Sequence, residues 1–458
     1  MTESDLRDYP GLNFYRREGE RDMLRSWQAG VPKELDVGRR KIKVKTREPY
    51  LAKTVPVRTF PWRVFALADN PSGLVSSDIV YALAEPNRIG DVSWVKPGLV
   101  QWDWWHGFKI TDVPGLKTGC NFETYRAYVD FAAENGIEYI IMDEGWADRL
   151  DPEKPRAEVN VPGVVEYAKK KGVDVILWAA WASLNNRDVR LRVFDWCVAI
   201  GAKGFKVDFM ERDDQMLEKF LEETAADAAE RKLVIMYHGN HKPTGLQRTY
   251  PNIINYEGVY GLEQGHSIGG RKVVVSNDVN LVYTRMVAGF MDYTPGAMDN
   301  YPIGRYKGDT INPGSVGTRA RQMALMALYE APLQMLCDSP TKYEKNMECF
   351  SFMAATPVVW SATVGLGGCP DTYAAVARKA ADGSWYAAAI TDASRREIVI
   401  DSAKFLESGE WEAEIFRDAP EADKDPTKYI HETKAIKAGE KFALKMAPGG
   451  GFVVRFTK

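Results

Sequence analysis

The sequence predicts a (β/α)8 TIM barrel of the α/β class, preceded by a short N-terminal partial β-region and followed by a C-terminal all-β domain. Three observations lead there. From about residue 100, apolar strand-like runs alternate with helix-like stretches, the rhythm of a parallel sheet with crossover helices. Those runs end repeatedly in polar or aromatic residues, as in Trp104-Trp105-His106, Asp143-Glu144, Trp178, Lys206-Val207-Asp208, His238 and Glu257. Such residues at the C-terminal ends of successive strands mark a barrel site. After Pro357 the texture changes to short alternating runs broken by turns, which fits an all-β domain of about a hundred residues. The expected limits are 1–95, 96–357 and 358–458.

Residues 1–95 are too short for a core of their own and are expected to pack on the barrel. They open with a basic, strand-poor stretch at 37–45. Clearer β-signals follow at 64–68 and 79–83, separated by the turn formers Asp69-Asn70-Pro71-Ser72-Gly73. The first barrel strand is read at 99–105, and its helix runs to 134 behind Asn121 as N-cap. The second strand is 137–142; a helix at 162–171 follows, with Pro162 in its first turn and Gly172 past its end. Strands at 173–178 and 204–209 alternate with helices at 187–200 and 215–231, and strands at 233–237 and 253–256 complete six.

Beyond Gly258 the regularity fails. Gly261, Gly265, Gly269 and Gly270 break up a loop of a length usually kept for function. Order resumes at 282–291, then a helix at 319–329, an eighth strand at 331–337 and a helix at 342–353. The β-domain is read as strands at 373–377, 385–391, 396–400, 411–416, 442–445 and 451–456.

With 458 residues, 45% hydrophobic and 27% charged, the chain has the composition of an ordinary soluble globular protein. A net charge of −3 gives no footprint for nucleic acid or an anionic membrane. No run of eighteen apolar residues offers a membrane span. The polar start, Met1-Thr2-Glu3-Ser4-Asp5, is unlike a signal peptide. The expected compartment is therefore cytoplasmic, or periplasmic or secreted where a leader has been removed. Cys120, Cys197, Cys337, Cys349 and Cys369 form an odd set without Cys-x-x-Cys spacing, so packed thiols are expected rather than disulfides or zinc.

Chemistry centres on Gly204-Phe205-Lys206-Val207-Asp208-Phe209, a buried strand that closes on a carboxylate. A satisfied ion pair at a strand end explains Lys206 and Asp208 equally well when they are taken alone. A partner for Asp208 is available in Glu257 or Glu263, because the tips of the fourth and sixth strands face each other across a barrel mouth. Two carboxylates about 5 Å apart, one nucleophile and one acid then base, are the apparatus of retaining glycoside hydrolysis. Flat rings at strand tips, Trp104 and Trp178 among them, suit a sugar face, while Asp143, Glu144, Lys206 and His238 suit its hydroxyls; core packing and structural ion pairs are the plain alternatives. Glu257 and Glu263 are also hard oxygen ligands fit for Ca²⁺, although no EF-hand spacing occurs.

At these residues the chain resembles glycoside hydrolase family 97, a family of α-glycosidases. The likeness is densest in Pro61-Trp62-Arg63-Val64, Trp102-Asp103-Trp104-Trp105, Met142-Asp143-Glu144-Gly145-Trp146, residues 204–215, His238 to Gly245, Asp292-Tyr293-Thr294-Pro295-Gly296 and Pro332-Leu333-Gln334-Met335-Leu336. Inverting members carry a glutamate base where this chain has Gly239, and retaining members carry a nucleophilic aspartate that matches Asp208. The resemblance thus implies a retaining α-galactosidase-like enzyme acting on an oligosaccharide or α-galactoside. It makes Asp208 the nucleophile, Glu263 the acid/base, and Glu257 a calcium ligand. It also implies a larger N-terminal β-sandwich, of which only the last portion is recognisable here. An inverting α-glucosidase, a carbohydrate-binding barrel without catalysis, and a lyase or isomerase using Lys206 as base are the rival readings.

Overall fold

The computed structural model describes residues 1–15, 17–19, 25–267, 275–310 and 312–458; Gly269 and Gly270 of the expected loop lie outside these. Seven parallel strands make the barrel wall: β1 (Gly98–Gln101), β2 (Tyr139–Met142), β3 (Asp174–Ala180), β4 (Gly204–Asp208), β5 (Val234–Tyr237), β6 (Ile253–Tyr256) and β7 (Leu333–Leu336). They hydrogen-bond in the order β6-β5-β4-β3-β2-β1-β7. Crossover helices cover the outside and side chains fill the inside, which is why the strands read as unbroken apolar runs rather than alternating ones.

The helix signals act as expected. Asn121 Oδ1 accepts from Thr124 N at 2.9 Å ahead of the helix Phe122–Glu134. The helix Val161–Lys171 stops at Gly172, whose φ of 78° is left-handed. Asp214 caps Gln215–Ala229.

The ordered stretch expected at 282–291 does not supply the seventh stave. That stretch holds the end of a helix, Val275–Tyr283, and a 3₁₀ turn, Met286–Ala288. The wall is closed instead by an irregular segment around residues 290–295. Met291 N donates to Glu330 O at 2.9 Å, Asp292 N to Tyr256 O at 3.0 Å, and Cys337 N to Pro295 O at 3.3 Å, so both neighbouring strands are tied in. Gly289 and Gly296 at its ends and Thr294 before Pro295 all have positive φ, which a strand cannot keep. The missing ladder is replaced by one guanidinium. Arg285 is buried and donates to the carbonyls of Tyr256, Glu257, Gly258, Gly289 and Phe290.

Other differences are local. The first strand ends at Gln101, so Trp102 to Trp105 lie beyond it. The loop expected after Gly258 contains a short helix, Leu262–Ser267. The helix expected at 342–353 is two, Pro340–Glu344 and Met347–Ala354.

The N-terminal region packs on the barrel, and its contacts fall at the C-terminal face, but its elements differ from those expected. Ile79–Leu83 is a short helix, and the strand near 64 is Trp62–Val64, paired with Thr2–Ser4. The supposedly strand-poor basic stretch is an antiparallel hairpin, Pro32–Val37 with Ile42–Arg47. Ile42 is buried in the barrel core, and Arg212 Nη1 bonds its carbonyl at 3.1 Å.

The C-terminal domain is a six-stranded antiparallel sheet with a separate two-stranded pair, Arg396–Asp401 and Lys441–Met446. Strands Ala362–Cys369 and Tyr429–Lys437 were not among those expected. One sheet face joins the barrel core through Ala374, Val376, Ala388 and Val453, while Trp385, Trp411 and Phe452 build a second core. All five cysteines are free thiols; Cys369, expected to be packed, is exposed.

Arg285→Met strips donors from five carbonyls at the open stave. We expect it to cost about 3 kcal/mol and to lower the thermal midpoint followed by circular dichroism. Arg285→Lys restores only part, since an ammonium has three donors and no fork.

Candidate active site

Strand β4 runs parallel to β3 and β5, with Lys206 beside Trp178 and Met236, and Asp208 at its tip. That register brings the side chains nominated from the sequence to one place. Trp104, Asp143, Glu144, Trp178, Lys206, Asp208, His238, Glu257 and Glu263 all line a cavity of about 160 Å³ at the barrel mouth.

Asp208 is held from two sides. Trp178 Nε1 donates to its Oδ2 at 3.1 Å and Phe209 N to its Oδ1 at 2.5 Å. Gly239 lies against it: a Cβ there would stand 2.7 Å from Asp208 Oδ1 and 2.7 Å from Phe209 N, and Gly239 has φ +56°. The chain beyond β4 is itself strained, Phe209 at φ 67° and Glu211 at φ 48°.

Lys206 is buried with its ammonium 2.8 Å from Asp143 Oδ2 and 4.7 Å from the Trp102 ring centre. Burial works against its charge, yet Asp143, Asp208 and Glu263 together raise its pKa above the ordinary lysine value. Asp143 also accepts from Trp102 Nε1 at 2.8 Å and from Glu144 N at 2.7 Å. Beneath it, Asp103 takes bonds from Tyr125 OH and Asp143 N; burial, then the Asp143 charge, push its carboxyl well up.

His238 follows β5 and is buried against Asp292, Nε2 to Oδ2 at 2.7 Å, with Nδ1 3.5 Å from Glu257 Oε2. Burial opposes its charge, but Glu257 and Asp292 push its pKa up to about 9, so it is an imidazolium at neutral pH. Glu257 accepts from Gly239 N at 2.6 Å and Gln264 Nε2 at 3.1 Å. Glu263, on the short helix after β6, has its pKa raised to about 7 by burial, with Glu257 and Asp208 adding to the rise against Lys206 and His238.

Ligand atoms of His238, Glu257 and Glu263 lie within 4.8 Å of one another, which would let them hold a metal. The two carboxylates suit a hard cation such as Ca²⁺. The imidazolium, committed to Asp292, does not.

Sequence reasoning missed several residues. Asp292, quoted above only within the family likeness and given no role, sits on the irregular stave, where no strand pattern pointed to its pairing with His238. Arg40 and Lys41 reach the mouth from the tip of the N-terminal hairpin: Arg40 pairs with Glu144, Lys41 with Glu211, and both stand about 5.5 Å over the Phe209 ring. The alternation Ile42-Lys43-Val44-Lys45 was the signal that this stretch is a strand.

Comparison with known proteins agrees with this geometry. Profiles described as glycosyl-hydrolase 97 N-terminal, glycoside hydrolase 97, and glycosyl-hydrolase 97 C-terminal, oligomerisation, match residues 1–86, 104–259 and 359–457. The retaining alpha-galactosidase of Bacteroides thetaiotaomicron is 41% identical over 460 residues, which span 99% of this chain and 69% of that protein. The chain belongs to glycoside hydrolase family 97. A probable retaining alpha-galactosidase of Streptomyces bingchenggensis is 28% identical over 86% of this chain and 57% of its own length. The structure of a family 97 enzyme from a Pseudoalteromonas species in complex with acarbose superposes with a TM-score of 0.83 at 27% identity, covering 100% of this chain and 72% of that one. In this family 97 chain, as described, no helix is long and apolar enough to cross a membrane.

The crowding at Gly239 gives a direct test. Gly239→Ala must displace Asp208 or Phe209, and we expect turnover of a chromogenic glycoside to fall by about 100-fold. The left-handed φ adds only about 1–2 kcal/mol to the cost, so circular dichroism should still report a folded barrel.

Proposed function

We propose that this protein is a retaining glycoside hydrolase that releases terminal α-galactosyl groups through a covalent glycosyl-aspartate. The observation that carries the reading is the position of Asp208: its carboxylate faces the same cavity as Glu263, beside a glycine that leaves no room for a base. The 41% identity with a retaining α-galactosidase supports the choice of sugar.

Asp208, aimed by Trp178 Nε1 and Phe209 N, attacks the anomeric carbon. Glu263, whose raised pKa keeps a proton available near neutral pH, gives that proton to the departing glycosidic oxygen. In the second half Glu263 takes a proton from the water that displaces Asp208. Lys206, Asp143, Glu144 and His238 surround the ring and bond its hydroxyls, and Trp104 and Trp178 flank it. Glu257 would be the anionic ligand of a Ca²⁺ ion, and Glu263 would offer it only the carbonyl oxygen of its protonated carboxyl. A bound cation there would supply positive charge beside the leaving oxygen.

Three measurements check this. NMR of the first-formed product should show the α-anomer; a first-formed β-anomer would make the enzyme inverting. Asp208→Ala should lose at least about 1000-fold in turnover of an aryl α-galactoside, and azide should restore activity by forming the β-galactosyl azide. A chelator should lower activity in the unaltered protein and have a much smaller effect in Glu257→Gln.

A further inference from the structure

Asp103 stands two residues past β1, is not among the residues that line the catalytic cavity, and takes no part in the steps derived above. It is nonetheless where three elements meet. Its carboxyl, 1% exposed, bonds through a single oxygen: Oδ2 accepts from Tyr125 OH at 2.8 Å and from Asp143 N at 3.2 Å. Tyr125 belongs to the helix Phe122–Glu134, and Asp143 is the first residue after β2. The Asp103 backbone is fixed as well, since its carbonyl accepts from Phe108 N at 2.8 Å. Oδ1 is buried and has no hydrogen-bond partner among the described residues, so one acceptor is all that the arrangement uses.

The preceding residue acts on the same target. Trp102 Nε1 donates to Asp143 Oδ2 at 2.8 Å, and the Trp102 ring centre lies 4.7 Å from the Lys206 ammonium, which bonds that same Oδ2 at 2.8 Å. Two consecutive residues after β1 therefore grip the Asp143–Lys206 pair, one at the carboxylate and one at the backbone amide. Both members of the pair line the cavity, so a turn of Asp143 is passed directly to Lys206. Charge is not what Asp103 contributes. Burial, then the Asp143 charge, drive its carboxyl toward the protonated form, and a second anion there would compete with Asp143 for the ammonium. A neutral group with one well-placed acceptor oxygen meets the same need.

We propose that Asp103 is a positioning residue: it fixes the Asp143 backbone, and through Asp143 the Lys206 ammonium, in the orientation that receives the sugar ring. The proposal rests on the glycosidase reading for the identity of that sugar, and its test does not need turnover. Calorimetric titration with galactose compares the unaltered protein with three variants. Asp103→Asn keeps one oxygen for Tyr125 OH and Asp143 N and puts an amide where Oδ1 stood, so it should bind within about 3-fold of the unaltered protein. Asp103→Ala leaves both donors without that acceptor and should bind at least about 10-fold more weakly. Tyr125→Phe keeps the ring and loses the hydroxyl that bonds Asp103; it should weaken binding about 3-fold, and it carries the test where Asp103→Ala does not fold. A merely structural role would lower the thermal midpoint and leave the affinity of the folded protein where it was. Unchanged affinity in Asp103→Ala, or in Tyr125→Phe where Asp103→Ala does not fold, overturns the proposal, as does Asp103→Asn binding as weakly as Asp103→Ala, or no galactose binding by the unaltered protein. Hydrolysis of an aryl α-galactoside by the unaltered protein is read separately: hydrolysis without this pattern of affinities removes the positioning role alone, and the pattern without hydrolysis removes the glycosidase reading alone.

Discussion

Two buried cations hold the barrel mouth together. Asp143, Asp208, Glu257, Glu263 and Asp292 crowd one cavity and its margin, and so many carboxylates in a poorly hydrated space would repel one another strongly. Lys206 and His238 stand among them, one 2.8 Å from Asp143 and the other 2.7 Å from Asp292. Removing either cation would leave a carboxylate buried without its partner, which costs more than the pair itself contributes. The same arrangement decides where protons sit. Asp143 and Asp292 are matched by cations at contact distance, whereas Asp103 below them and Glu263 across from them are driven toward their protonated forms by burial and by their anionic neighbours. A mouth in which two carboxylates are matched by cations while Glu263 is driven toward its protonated form follows from how two positive charges are shared.

Backbone geometry adds a second constraint. Gly239 closes so tightly on Asp208 that no side chain fits between them. In this chain a side chain at position 239 and the Asp208 carboxylate as placed therefore exclude each other on steric grounds. Positive φ at Phe209 and Glu211 turns the chain sharply as it leaves β4, and the strain is tolerated because Trp178, the Phe209 amide and the neighbouring loop fix the carboxylate from several directions.

Most of the site was legible because parallel barrel strands are buried on both faces. In such a strand a charge survives only at its tip, so Lys206, Asp208, His238 and Glu257 announced themselves. What was hidden had no period to follow. The irregular stave at 290–295 is held by Arg285, whose bonds to five carbonyls no periodicity in the sequence signals, and so Asp292 was given no role. Ile79–Leu83 carries β-branched residues yet forms a helix, since tertiary packing outweighs a weak propensity over five residues. The hairpin at 32–47 was obscured by its many basic residues, which read as surface until their carboxylate partners on the barrel rim are seen.

That hairpin belongs to a region with no core of its own, and its order comes from the site it covers. Ile42 inserts into the barrel core, a burial of about 1.5–3 kcal/mol. Arg47 and Arg212 converge on Asp214 at 3.0 and 2.8 Å, and Asp214 is also the N-cap of the helix that follows β4. The pairs at the tip, Arg40 with Glu144 and Lys41 with Glu211, are more exposed and are worth at most about 1 kcal/mol each. The base of the hairpin is thus anchored to the start of the helix that follows the strand carrying Asp208, while its tip is held by contacts weak enough to exchange. The part of the hairpin nearest the cavity is therefore the part that can yield without releasing the rest.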